Sequence, residues 1–122
     1  MAVEDGAILA TLLGLYQRAQ SGSSQLPTLP ETLKLYESLQ KARTTILHLG
    51  SISNQHVYHL DDGPEQQERD RILKAAGWQE KPEGEEEKFI WIDVRYQKTV
   101  LGRDAIGDAK KKWEGEMGVE EK

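Results

Sequence analysis

Apolar residues recur at helical spacing in three separate stretches of this 122-residue chain, and this spacing predicts helices rather than strands. In the first stretch the apolar positions spread over more than one stripe: Val3, Ile8, Leu9, Leu12, Leu13, Leu15 and Tyr16. Such a spread is typical of a helix that is buried on several sides. We therefore predict a helix over about residues 2–20 with neighbours on several sides.

Two glycines, Gly6 and Gly14, interrupt this first helix. Each lowers helix propensity by up to ~1 kcal/mol relative to alanine. We expect either tertiary contacts that compensate, or close packing of another backbone against the glycines. Residues 21–30, which follow, combine small polar residues with two prolines and predict a loop.

Two further helices are predicted from proline positions and apolar spacing. Pro30 suits the first position of an amphipathic helix over about residues 30–53. Residues 56–60 alternate briefly between polar and apolar side chains and are interpreted as extended. A turn at residues 61–64 then leads into a third helix over about 64–76, which Pro64 begins.

The rest of the chain predicts shorter elements. Residues 79–88 are rich in glutamate and contain a proline and a glycine, so we expect an acidic loop. Asp93 and Asp104 are placed to cap two short helices within residues 89–114. The tail, residues 115–122, is expected to fray.

The predicted fold class is all-α, with four to five helices, irregular connections and no Rossmann unit. A mass of 13.8 kDa allows one domain, in which residues 1–78 would form the helical core. The hydrophobic fraction is 37% and the charged fraction 30%, so this core is expected to be thin and the isolated chain only marginally stable.

Charge and cysteine content exclude several classes of function. The net charge is −5, and the one basic run, residues 110–112, lies between acids on a predicted helix, so we expect no nucleic-acid partner. The absence of cysteine excludes disulfides, thiolate nucleophiles and cysteine-ligated metals. The longest apolar stretch, residues 7–15, is too short to span a bilayer, so we expect no membrane partner and a cytoplasmic location.

The chain carries motifs at residues 1–6, 35–43, 56–70 and 91–113. In this order, they resemble motifs of flavin-dependent aromatic hydroxylases of the salicylate hydroxylase type. Residues 1–6 look like the family's A-M-A-I-E-D-A helix, with Gly6 in place of alanine. Residues 35–43 are similar to Y-E-x-x-R-K-P-R, with Gln40 and Ala42 departing from it. The most specific match is His56 to Asp70, which resembles the D-G-P-E-Q-x-x-R-D signature of the fungal branch. Residues 91–93, 101–105 and 109–113 fit the C-terminal pattern of the same branch.

The resemblance implies that this sequence corresponds to the C-terminal helical part of the flavoprotein hydroxylase fold. Such hydroxylases use FAD and NAD(P)H to add oxygen to an electron-rich ring, and they hold FAD on an upstream G-x-G-x-x-G unit and a G-D motif. The G-x-G-x-x-G unit does not occur in these residues, and the family's G-D motif would lie before residue 1. We therefore expect no cofactor on the isolated chain, assign no cofactor-binding residue, and leave the catalytic residues unknown.

Three residue groups with chemical potential are interpreted structurally. His56 and His59, with Asp61 and Asp62 nearby, have metal-ligand side chains, but in an extended segment the two histidines would point to opposite faces, so no metal site is assigned. Glu4 and Asp5 are general acid/base candidates that equally suit the positive end of a helix. The tryptophans are interpreted as core anchors rather than the lining of an aromatic pocket: Trp78, Trp91 and Trp113.

Three hypotheses about function remain open. The favoured one is a truncated monooxygenase-like protein that is inactive alone or depends on a flavin-binding chain, or on a second copy of itself, as partner. The second is a cofactor-free binding module, cyclase or isomerase repurposed from that family, for instance in fungal secondary metabolism. The third is a fragment with no function of its own.

Overall fold

The computed structural model describes residues 2–22, 27–77, 81–85 and 87–117. These residues form five α-helices: α1 (Ala2–Ala19), α2 (Leu29–Tyr58), α3 (Pro64–Ala75), α4 (Val94–Leu101) and α5 (Ala105–Met117). A single turn of 3-10 helix covers Ile90–Ile92. No β-strand occurs within the described ranges, which confirms the all-α class without a Rossmann unit.

The chain divides into two compact units, and the long helix α2 contributes to both of them. The first unit contains Met1–Thr44 and Asp104–Lys122, and the second contains Thr45–Arg103. α5 continues through Met117, into the tail that was expected to fray, while residues 118–122 lie outside the described part of the chain. Of the predicted acidic loop, residues 81–85, 87 and 88 are described, and none of them is helical.

The core of the first unit is small and joins three helices. α1 supplies Ile8 and Leu12, α2 supplies Leu35, and α5 supplies Ala109 and Trp113. The indole of Trp113 is only 2% exposed and is the largest fully enclosed side chain in the described residues. Because so few residues are fully buried, this unit depends strongly on each of them.

Two polar contacts attach the start of α1 to α2. The Arg43 guanidinium forms a salt bridge with Glu4, with Nη2 donating to Oε2 at 2.8 Å, and both side chains are less than one-fifth exposed. One residue further along α1, the Gln40 side-chain amide donates to the carboxylate of Asp5. Glu4 and Asp5 are therefore engaged in holding two helices together.

One side of α1 is open, so the described residues do not provide the burial on several sides that the sequence predicts. Val3 is 89% exposed, and Ala10, on the same side, is exposed as well. A Cβ atom built on Gly6 or Gly14 would meet no atom of the described residues within 4 Å. The two glycines are thus not explained by close packing of another backbone within these residues.

Substitution of Gly14 with alanine is expected to stabilise the chain by up to about 1 kcal/mol. Alanine favours the helix, and the added methyl group meets no neighbour. Urea unfolding followed by far-UV circular dichroism measures the change. A loss of stability in Gly14→Ala would show that this position of α1 is covered in solution.

The starts of α4 and α5 have the caps that the sequence predicts, and α2 has a further cap that was not predicted. Before α2, the Thr28 amide donates to the Glu31 carboxylate at 2.7 Å and the Glu31 amide donates back to the Thr28 hydroxyl at 3.4 Å. The backbone hydrogen bond from Thr28, followed by its hydroxyl, lowers the pKa of Glu31. Asp93 caps α4, and the carboxylate of Asp104 accepts from the Gly107 amide at 2.9 Å at the start of α5.

The interpretation of residues 56–60 as extended is wrong, because α2 continues through Tyr58. The strong helix-breaking residues come later, in the turn that ends with Gly63 and Pro64. Gly50, inside α2, does not end the helix either, because it is buried under another part of the second unit.

Trp91 and Tyr96 pack around Gly50 in the second unit. The indole Nε1 of Trp91 donates to the Gly50 carbonyl at 3.1 Å. The two aromatic rings meet edge to face, with centroids 5.3 Å apart and planes at 81°. Gln97 donates from its side-chain amide to the Trp91 carbonyl at 2.7 Å, which fixes the 3-10 turn onto α4.

Asp93→Ala is expected to loosen α4 at neutral pH and to have little effect in acid. Burial opposes ionisation of Asp93, but hydrogen bonds from the Arg95 side chain and from the amides of Tyr96 and Arg95 outweigh it and lower its pKa. The stabilising carboxylate is therefore present above the ordinary aspartate range and is lost as pH falls through the lowered pKa. Melting curves at pH 7 and pH 3 test this, with a decrease on the order of a few degrees expected at pH 7 and a smaller decrease at pH 3. An equal decrease at both values would contradict the assignment.

Candidate functional site

The second unit contains a cleft with a volume of about 580 Å³. This volume lies within the range of small-molecule sites in proteins, about 300–1,000 Å³. The lining comes from the end of α2, the start of α3 and the segment before the 3-10 turn: Ser53, His56, Val57, Leu60, Pro64, Glu65, Glu68, Arg69, Lys88 and Phe89.

The most specific motif in the sequence surrounds this cleft. Seven of the ten lining residues belong to the segment from His56 to Asp70. α2 ends at Tyr58 and α3 begins at Pro64, so the turn between them places the two helix ends on either side of the cleft. The motif thus forms a corner between the end of α2 and the start of α3, and the concave side of this corner is the cleft.

Arg69 holds this corner together. Its Nη1 atom donates to the Val57 carbonyl at 3.0 Å, which joins α3 to the last turn of α2. Its Nε atom donates to Asp70 at 2.8 Å, and only 15% of the Arg69 side chain is exposed. The Arg-Asp pair at the end of the motif therefore has a positioning role in the wall of the cleft.

Glu68 is held ionised at the same wall. Both oxygens of its carboxylate accept hydrogen bonds from Arg71, at 2.7 and 2.8 Å. These hydrogen bonds are the main cause of a lowered pKa of Glu68, and the charge of Lys88 also lowers it. The carboxylate is therefore a poor general acid at neutral pH.

The two histidines lie at the end of α2, close to a second, shallower cleft of about 430 Å³. His59 follows the helix, and its Nδ1 lies 2.8 Å from the Gln55 carbonyl. Asp61 and Asp62 also border this second cleft. Within the ranges that the structure describes, no group of three or more histidine, aspartate or glutamate side chains is placed to hold a metal ion. His56 lies in α2, so an extended backbone does not separate the two histidines as predicted.

Neither of the two tryptophans in the described residues lines the main cleft. Trp113 lies in the core of the first unit, as a core anchor. Trp91 is half-buried in the second unit beside Gly50. Trp78 lies outside the described residues. The sequence interpretation missed Lys88 and Phe89 as lining residues. Lys88 was assigned to the end of the acidic loop and Phe89 to the segment of short helices after it, although a lysine directly before an apolar run could have indicated them.

Comparisons with known proteins confirm the resemblance to flavin-dependent monooxygenases. The chain is 30% identical, over 108 residues, to the FAD-dependent monooxygenase OpS4 of Beauveria bassiana, a match that covers 88% of this chain and 23% of that protein. It is 37% identical over 75 residues to the 3-amino-4-hydroxybenzoate 2-monooxygenase PtmB3 of Streptomyces platensis, and 36% identical to PtnB3 of the same organism. No family model matches, and no solved structure is similar.

The matched region is a small part of these relatives. The chain spans about a fifth of their length, 23% of the first and 17% of the other two. It is therefore similar to a segment of FAD-dependent monooxygenases, in agreement with the C-terminal segment that the motifs predicted. None of the described helices has the length and apolarity to cross a membrane.

The residues described here do not fit a FAD site. Binding of a dinucleotide pyrophosphate usually requires a glycine-rich turn between a strand and a helix, and the described residues contain no strand. No step of flavin chemistry is therefore assigned to a residue of this chain.

Proposed function

We propose that this chain acts as the helical segment of a FAD-dependent aromatic monooxygenase, and that it functions only together with a flavin-binding part. The observation that supports the proposal most is the match to OpS4, which extends over 88% of the chain but includes only 23% of that relative. In that family, bound FAD supplies the redox chemistry that activates oxygen. The role proposed for this chain is to cover and support the part of the enzyme that holds FAD.

The open side of α1 is where we place the contact with the flavin-binding part. Val3, Gly6, Ala10 and Gly14 present small or apolar groups there. Small side chains allow close approach of another backbone. A partner at this face would also cover Val3, whose side chain is 89% exposed in the isolated chain. A second copy of the chain is the alternative occupant of this face, and light scattering on the purified chain distinguishes the two.

Titration of FAD into the purified chain, read by flavin fluorescence, tests the dependence on a partner. We expect no saturable binding up to about 100 μM FAD. Any binding free energy would then be weaker than about 5.5 kcal/mol. A thermal melt by circular dichroism on the same sample shows whether the helices are formed when the titration is made. Tight FAD binding by the folded chain alone would contradict the proposal.

A second candidate function, a cofactor-free binding module, is favoured by the cleft. Its volume and its mixture of apolar and charged lining residues suit a small molecule without any flavin. Turnover of a ligand by cyclisation or isomerisation would extend this candidate to an enzyme. Ligand binding in the complete absence of FAD and NADPH distinguishes it from the first proposal.

A further inference from the structure

We propose that the cleft of the second unit binds a small amphipathic carboxylate, with its apolar body against Val57, Leu60 and Phe89 and its carboxylate at Lys88. This inference goes beyond the flavin-associated role and does not depend on it. It rests on the shape of the cleft, on the apolar part of its lining, and on the way in which the charges around it are already paired.

The apolar part of the lining comes from three different segments. Val57 and Leu60 belong to the end of α2 and the turn after it, Pro64 begins α3, and Phe89 precedes the 3-10 turn. A volume of about 580 Å³ accommodates a ligand of roughly 10 to 20 non-hydrogen atoms. A flat ring or a medium-length alkyl chain would displace water from these side chains.

Most of the charges on the wall are compensated within the protein. The carboxylate of Glu68 accepts two hydrogen bonds from Arg71, and Arg69 is bonded to Asp70 and to the Val57 carbonyl. Glu65 lies in the first turn of α3, where the positive end of the helix offsets its charge.

Lys88 is the cation that remains for a ligand. Within the described ranges it has no hydrogen bond and no ion pair, and its ammonium lies 6.0 Å from the centre of the Phe89 ring. Its influence on Glu68 acts through space, on a carboxylate that Arg71 already binds. A ligand carboxylate would therefore gain a charge-assisted hydrogen bond there without breaking one.

Calorimetric titration of the full chain with 1-naphthoate and with decanoate tests the proposal, and ¹⁵N-labelled NMR spectra locate the site. We expect saturable binding with shifts at the amides of Val57, Leu60 and Phe89. Whichever of the two carboxylates binds more tightly shows whether the apolar part of the preferred ligand is aromatic or aliphatic. Lys88→Gln should weaken binding about fivefold to tenfold, whereas Lys88→Arg retains it.

Lys111→Gln is the matched control, because it removes the same charge from an exposed position on α5. It should leave the affinity unchanged. The uncharged analogue 1-naphthalenemethanol should bind the unaltered chain more weakly than 1-naphthoate does, by about the factor that Lys88→Gln costs naphthoate. Its own affinity should be the same for the unaltered chain and for Lys88→Gln.

Three results would overturn the proposal: no saturable binding of either carboxylate, NMR shifts confined to residues 2–44, or equal losses in Lys88→Gln and Lys111→Gln. Melting curves of both variants verify that they are folded when they are titrated. None of these readouts involves FAD, so failure here is separate from failure of the flavin-associated role.

Discussion

Trp113→Ala is expected to unfold the first unit, with a loss of about 3–5 kcal/mol in the free energy of unfolding. The indole fills the space between α1, α2 and α5, next to Ile8 and Leu12, and only 2% of it is exposed. Few other described residues of this unit are fully buried, so the neighbouring side chains cannot readily repack to fill the cavity. Urea unfolding followed by circular dichroism measures the loss, which is comparable to the total stability of a small domain.

Ile106→Ala is the matched control for this prediction. Ile106 lies on the same helix, but its side chain is 49% exposed. Its truncation removes much less buried surface and is expected to cost less than about 1 kcal/mol. Similar losses for the two variants would mean that the described core is not the one that stabilises the chain.

Gly50→Ala is expected to destabilise the second unit by about 1–3 kcal/mol. A Cβ atom at this position would overlap the hydroxyl of Tyr96 and lie 3.2 Å from its Cζ atom. The ring cannot swing away freely, because its edge-to-face contact with Trp91 is fixed by the hydrogen bond from Trp91 to the Gly50 carbonyl. Heat or urea unfolding of the variant measures the effect.

The second substitution that completes this test is Tyr96→Phe. The Tyr96 hydroxyl is buried, and it has no hydrogen-bond partner among the described residues, so its removal alone should be almost neutral. In combination with Gly50→Ala it should recover part of the lost stability, because the atom that clashes is gone. Gly14→Ala is the control for helix propensity, because it is expected to raise the free energy of unfolding where Gly50→Ala lowers it. Destabilisation by Gly50→Ala that Tyr96→Phe does not relieve would contradict the described packing.

Local sequence signals predicted much of the fold. Pro64 begins α3, and Asp93 and Asp104 cap α4 and α5, as expected. Pro30 lies in the first turn of α2, one residue after its start at Leu29. These residues act through the backbone of their own helix. The continuation of α2 through Tyr58 was missed because two-residue alternation over a short segment cannot be distinguished from one turn of helix. The burial of Gly50 under Tyr96 depends on residues far apart in the chain, which no local pattern contains.

The candidate site was only partly accessible from the sequence. The motif from His56 to Asp70 was singled out for its resemblance, but its role as the wall of a cleft depends on the corner that Arg69 forms with the Val57 carbonyl. Lys88 reaches the same cleft from a different segment, and spacing alone cannot reveal such proximity. The flavin-binding partner, self-association and the cytoplasmic location remain predictions.

The central claim is that this chain completes a flavin-dependent monooxygenase. The most direct measurement is the FAD content of a chimera in which this chain replaces the matched 108-residue segment of the Beauveria bassiana relative. We expect about one FAD per chimera, as in the unaltered relative, and much less FAD when the chimera carries Trp113→Ala. A chimera that is folded by circular dichroism but purifies without FAD, beside a flavin-loaded unaltered relative, would contradict it.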